Sequence, residues 1–190
     1  MTWQVVRFEE VAPVPWKNGG GLTRELVTWP EPDNWLWRMS VAQVSQSGPF
    51  SVFDGVQRWF AVLSGAGVRL VSGGRSCTVT ALSDPFCFDG AAKTDCELIN
   101  GVTLDFNLMT RQAKLNAVMT RVSQSLDLEI TASKVVAVCS IESKAVLHFN
   151  QETIETEPAS LVWRTASPGD RLKGRLTSAL LIQIFEGNSQ

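Results

Sequence analysis

The chain has 190 residues, with 17 Lys+Arg against 19 Asp+Glu, 44% hydrophobic and 19% charged. That is a globular balance, with room for one large or two small β domains and no global attraction for nucleic acid or an anionic membrane. One histidine, His148, stands beside seven Trp, nine Phe and no Tyr. A multi-histidine metal centre therefore cannot be built within one chain, and only one imidazole is available for acid–base chemistry.

In chain order, MTWQVVRFEE lacks a basic stretch followed by an apolar run, so no signal peptide is expected, and Val5 to Phe8 reads as an edge strand. No apolar run approaches the ~20 residues of a membrane span. Pro15 to Leu26 (PWKNGGGLTREL), hemmed by Pro13, Pro30 and Pro32, reads as constrained glycine-rich coil. Strands are expected at Trp35 to Val44 and Arg58 to Leu63. Turns at Ser64-Gly65-Ala66-Gly67 and Ser72-Gly73-Gly74-Arg75 lead into Val68 to Val71 and Ser76 to Thr80. Val102 to Met109 is a further strand. Arg111 to Asp127 could be a helical linker, but Leu115 to Val122 reads better as a strand. Lys134 to Ser140, Ala145 to Phe149, Ser160 to Arg164 and Ser178 to Phe185 continue the pattern.

Short strands at roughly 8–12-residue spacing indicate an all-β sandwich or barrel. At this length two stacked β-barrels are expected, residues 1–112 with the unusual residues and 113–190 as scaffold. Direct comparison of the halves shows no repeat. Six of the seven Trp lie between positions 3 and 59. The cysteines at 77, 87, 96 and 139 match no CxxC pair and are expected to be reduced and mostly buried, as in a cytoplasmic protein.

The glycine-rich segment is neither a Walker A loop nor GxGxxG after a strand. It sets Lys17, Asn18, Thr23, Arg24 and Glu25 around three glycines, between Trp16 and Trp29. In the strand Val102 to Met109, Leu104, Phe106 and Leu108 share one face and Asp105, Asn107 and Met109 the other, which suits a semi-polar lumen. Arg38 sits mid-strand among apolar neighbours and, if buried, needs a carboxylate; Glu25 and Asp105 are the candidates. Arg58 is similar. If Lys17, Arg24, Arg38 and Arg58 converge with Glu25 and Asp105, the site is net positive, and arginine forks among tryptophans suit a small planar anion. His148, in AVLHF, reads as a satisfied barrel or edge residue, with no Ser or Cys near it in a nucleophilic arrangement.

The ordered motifs PWKNGGGLTREL, WLWRMSVAQV, GPFSVFDGVQR (Gly48 to Arg58) and LDFNLMTR (Leu104 to Arg111) resemble the HutD/Ves family. The resemblance runs the whole length, more weakly after about residue 112. It implies a bicupin, two jelly-roll barrels in a cytoplasmic bacterial protein, and a homodimer through sheet edges is compatible with it. It associates HutD members with histidine utilisation, as regulators that bind an acid such as urocanate or a formyl- or formimino-glutamate, and Ves members with cold-induced expression. It implies no secure catalytic activity. The chain departs from metal-dependent cupins, which hold a metal through a HxH…E pattern and a later His; no metal or cofactor is expected here.

The preferred reading is a non-enzymatic binding protein for a small anionic metabolite in the N-terminal barrel, with no direct nucleic-acid contact and no catalytic residue. Its ligand contacts are Trp16, Lys17, Asn18, Thr23, Arg24, Glu25, Arg38, Arg58, Asp105, Asn107 and Met109. Two alternatives remain. One is a metal-free isomerase or hydrolase with Asp105 or Glu25 as base. The other is an interaction module presenting Trp3, Trp29 and Trp35.

Overall fold

The computed structural model describes residues 2–187, which carry β-strands, two short 3-10 turns and no α-helix. The chain divides into two compact units: Val11–Leu115, and a second made of the segment ending at Glu10 with the chain from Asn116 onward. The segment ending at Glu10 thus belongs to the same unit as the chain from Asn116 onward. The segment's strand β1 (Gln4–Arg7) pairs antiparallel with β17 (Ser160–Ala166), from Gln4 opposite Trp163 to Arg7 opposite Ser160.

The unit Val11–Leu115 contains β2 (Val14–Pro15), β3 (Gly21–Trp29), β4 (Trp37–Val44), β5 (Gly48–Pro49), β6 (Val56–Ser64), β7 (Val68–Ser72), β8 (Arg75–Val79), β9 (Phe86–Asp89), β10 (Thr94–Leu98) and β11 (Thr103–Arg111). A six-stranded sheet runs β2-β3-β4-β11-β6-β9 and a four-stranded sheet β5-β10-β7-β8. Each strand alternates side chains between two faces. Val44, Phe60 and Val62 of the larger sheet meet Val68, Leu70, Val79 and Cys96 of the smaller in one core. The turn at Gly73-Gly74, both at positive φ (53° and 79°), joins β7 to β8 as its sequence predicts.

The expectation of coil through Leu26 is corrected here. The chain enters β3 at Gly21, with Thr23 opposite Ala42 and Glu25 opposite Ser40 on β4. The glycines forced that reading, yet only Gly19 takes a left-handed conformation (φ 72°). Gly21 is a strand residue made necessary by close approach: a Cβ there would strike the Gln43 carbonyl and lie 3.2 Å from the Trp16 ring.

The other unit contains β1, β12 (Leu115–Val122), β13 (Ser125–Glu129), β14 (Lys134–Ser140), β15 (Ala145–Phe149), β16 (Glu152–Thr156), β17, β18 (Arg171–Arg175) and β19 (Ala179–Glu186). Its sheets run β1-β17-β14-β19-β12 and β13-β18-β15-β16, and Val136, Val138, Leu147, Phe149, Val162, Leu172 and Leu181 form its core. The ambiguous stretch after Arg111 is a strand over Leu115–Val122. Each unit is a two-sheet sandwich rather than a ring of strands closed by hydrogen bonds. No helix among the described residues is long and apolar enough to cross a membrane.

Candidate functional site

One cleft of about 530 Å³ opens in the unit Val11–Leu115. One wall is the six-stranded sheet: Thr23 from β3, Arg38, Ser40, Ala42 and Val44 from β4, Asn107 and Met109 from β11, and Arg58 and Phe60 from β6. Two segments complete it, Pro15 to Asn18 and Pro49 to Phe53. The first is fixed by its own hydrogen bonds: the Trp16 indole N–H donates to Thr23 Oγ1 (2.7 Å), and the Gly20 amide to Asn18 Oδ1 (3.0 Å).

Arg58 is the buried charge of the cleft, 7% exposed. Its Nη1 donates to the Ser51 carbonyl (3.1 Å) and its Nη2 to Asn107 Oδ1 (3.3 Å), while Nε has no partner. The rings of Phe50, Phe53 and Phe88 surround it, with centroids 5.0–5.7 Å from the guanidinium carbon. No carboxylate among the described residues forms an ion pair with it. Burial, and secondarily the charge of Arg38, pull its pKa down to about 10. It stays cationic at neutral pH, its desolvation offset in part by two hydrogen bonds and three ring faces but by no carboxylate among the described residues.

Arg38 is the second cation. Its Nη1 meets Glu25 Oε2 and its Nε meets the Met109 sulfur, each at 3.2 Å. Trp35 and Phe53 lie against it at 5.5 and 5.3 Å. Burial lowers its pKa and Glu25 opposes that shift. Lys17 is exposed at the rim. The lining thus holds three cations and no carboxylate, histidine or cysteine.

Eight of the eleven residues expected at the site line this cleft: Trp16, Lys17, Asn18, Thr23, Arg38, Arg58, Asn107 and Met109. The other three lie elsewhere. Arg24 has the opposite strand parity to Thr23, and its Nη1 donates to the Val11 carbonyl. Glu25 shares Thr23's parity but is solvent-exposed outside the lining, where Thr28 Oγ1 donates to its Oε1 (2.7 Å). Asp105 has the parity of Asn107 but is fully buried, opposite Ala42 and Val62, where a β-bulge shifts the register between β11 and β6. Thr103 Oγ1 donates to its Oδ2 (2.8 Å) and its Oδ1 has no partner. Burial raises its pKa to about 7, against the opposing Thr103 bond.

The lining residues absent from the expectation were Phe50, Ser51, Phe53, Phe60, Ser40, Ala42, Val44, Pro15 and Pro49. Strand parity carried one step further finds part of them, since Ser40, Ala42 and Val44 follow Arg38 at period 2 and Phe60 follows Arg58. Phe50 and Phe53 sit in the irregular segment between β5 and β6, whose proximity to Arg58 no periodicity encodes. His148 lies on an exposed strand position, its Nδ1 3.0 Å from Thr153 Oγ1.

No group of three or more His, Cys, Asp or Glu side chains that could hold a metal occurs among the described residues. The cleft's donors are amides, hydroxyls and cations, which do not fit the metal centre of metal-dependent cupins.

The paired sandwiches define a cupin-type fold, with a cleft lined by three cations in one unit. The HutD family model matches residues 8–181, and the chain belongs to that family. Over 108 residues it is 39% identical to an uncharacterised 21.2 kDa protein of the hutC 3′ region in Pseudomonas putida, covering 56% of this chain and 57% of that protein. Over 116 residues it is 36% identical to protein Ves of Cronobacter sakazakii, covering 59% and 64%. The alignments thus span less than two thirds of these relatives' own length. Among solved structures, HutD from Pseudomonas fluorescens SBW25 matches with a TM-score of 0.84 at 28% identity, over 98% of this chain and 100% of that one. A conserved protein of unknown function from Pseudomonas aeruginosa PAO1 matches with 0.85 at 26%, over 99% and 100%. Bacillus subtilis oxalate decarboxylase, at 9% identity and a TM-score of 0.61 over 98% of this chain and 78% of that one, is alike in fold alone.

Proposed function

We propose that the protein holds a small carboxylate in the cleft of its Val11–Leu115 unit and acts in the regulation of histidine utilisation by sensing an acid of the urocanate or formyl- or formimino-glutamate kind. The observation that carries this reading is Arg58, a buried cation that lines the cleft without a carboxylate partner among the described residues. An anion that reached it would supply the missing counter-charge through charge-assisted hydrogen bonds. Phe50, Phe53, Phe60 and Trp16 favour a planar ligand body. The link to histidine utilisation rests on family membership and on the relative from the hutC 3′ region. Holding is favoured over acid–base turnover because Asp105, the carboxyl whose pKa lies near neutrality, is not part of the lining.

Isothermal calorimetry with urocanate and with formyl- and formimino-glutamate tests this. One of them should bind the wild type, and Arg58→Gln should weaken binding by about 30-fold or more, the scale of losing one partner of a buried charge pair. An unchanged thermal melt of Arg58→Gln confirms that the fold is retained. A folded wild type that binds none of these acids overturns the reading.

A further inference from the structure

Glu25 stands outside the cleft lining, yet it is the one carboxylate among the described residues that forms an ion pair with a cation of the cleft. We propose that Glu25 is the charge-selectivity determinant of the cleft: without touching the ligand, it neutralises Arg38 and tunes the site toward monoanions over dianions. The inference deepens the carboxylate-binding reading and rests on it.

The two arginines of the cleft are close enough for the charge of Arg38 to lower the pKa of Arg58. Left alone, these two cations and Lys17 would favour the most highly charged acid that fits. Glu25 changes that balance from behind. Its Oε2 takes Arg38 Nη1 and its Oε1 is held by Thr28, while Met109 holds Arg38 Nε. Of the three guanidinium nitrogens only Nη2 has no protein partner among the described residues, so it is the one left to meet a ligand. Side-chain exposures of 24% for Arg38 and 41% for Glu25 leave the pair partly screened, and its field at the ligand is moderate. That field opposes each ligand charge separately, so it disfavours a dianion about twice as strongly, in logarithmic affinity, as a monoanion.

The test measures fumarate against crotonate, planar four-carbon acids that differ by one carboxylate, on the wild type, Glu25→Gln, Glu25→Asp and Glu25→Ala at low and high salt. Glu25→Gln removes the charge and keeps one acceptor oxygen for Arg38, while its amide N–H can donate to the Thr28 hydroxyl in place of the bond that Glu25 accepts. It should raise the fumarate-to-crotonate affinity ratio about threefold, an increase that shrinks at high salt. Glu25→Asp keeps the charge and should keep the wild-type ratio. Glu25→Ala should shift the ratio as Gln does and also weaken both acids, because Arg38 loses its anchor. A residue with only a structural role would change both affinities together and leave the ratio fixed. If the wild type binds both acids and Glu25→Gln leaves the ratio unchanged, or Glu25→Asp shifts it as far as Gln does, the inference about Glu25 fails alone. If the folded wild type binds neither these two acids nor urocanate or formyl- or formimino-glutamate, the carboxylate-binding reading fails and the inference goes with it; if it binds one of those three but neither fumarate nor crotonate, the inference about Glu25 fails alone.

Discussion

Two buried ionisable groups in one unit carry opposite consequences. Arg58 keeps its charge and lines the cleft, whereas Asp105 is sealed among apolar side chains, with Cys96 as the titratable group facing it. The folded-state pKa of Asp105, about 7, lies above its ordinary 3.8, so between those values the unfolded chain has already released a proton that the native state still binds. Stability from this group is full below about pH 4, declines as pH rises to about 7 and is flat beyond, a loss on the order of several kcal/mol. Asp105→Asn should therefore raise the melting temperature at pH 8 and flatten its dependence between pH 4 and 7, read by calorimetric melts. The thiols separate by the same logic. Burial pushes Cys96 to about 12, and Cys139, also fully buried, is raised further. A thiol reagent applied to native protein at pH 8 should modify Cys77 and, more slowly, Cys87, and should reach Cys96 and Cys139 only on unfolding. Of these residues the sequence showed the types and the strand parity. It did not show that a bulge beside Asp105 would leave it under apolar cover rather than in the cleft.

Among the elements, β4, β6 and β11 were readable as β-rich runs; both their faces are largely buried, and their cleft faces follow from the period-2 geometry of a strand. β3 was not, because three glycines mimic a loop and its pairing with β4 is broken by a register shift between Glu25 and Val27. Gly21 is where that strand is most sensitive. Gly21→Ala should cost about 2–4 kcal/mol in a urea melt and also weaken ligand binding, because the added methyl meets the Gln43 carbonyl and the Trp16 ring that lines the cleft. Gly20→Ala is the control: its Cβ meets only the Asn18 side chain, at 3.3 Å, which can give way, so its effect should be smaller.

Across the whole molecule, the two units repeat one connectivity that direct comparison of the halves does not reveal. The order β4-β11-β6-β9 recurs as β12-β19-β14-β17, and β5-β10-β7-β8 recurs as β13-β18-β15-β16. The repeat extends to a side-chain pair. Arg58 on β6 donates to Asn107 on β11 (3.3 Å), and Lys134 on β14 donates to Gln183 on β19 (3.1 Å). Sheet topology is set by hydrogen-bond pairing and burial, which tolerate almost any apolar set, so the two units can share a connectivity without sharing a legible sequence pattern. Strand β1 extends the β12-β19-β14-β17 sheet at its edge, and after it Phe8 is buried with its amide donating to the Ala159 carbonyl (2.9 Å). Truncation through Glu10 should destabilise the unit containing β17 by about 2–4 kcal/mol. Hydrogen exchange should show the loss as weakened protection of β17 amides with little change in β4 or β11.

By itself the sequence determined the β character of the chain, most strand positions, the face on which Arg38, Arg58, Asn107 and Met109 lie, and the cationic residues from which an anion site could be made. Those are local properties, set by period-2 alternation and residue chemistry within a few positions. Tertiary structure alone decided which of them meet. It turned Arg24 to the Val11 carbonyl, put Glu25 behind Arg38, sealed Asp105 in the core, wrapped Phe50 and Phe53 around Arg58 and placed β1 beside β17. Each of these depends on register between distant strands and on where a bulge shifts it, and a one-residue slip moves every side chain to the other face.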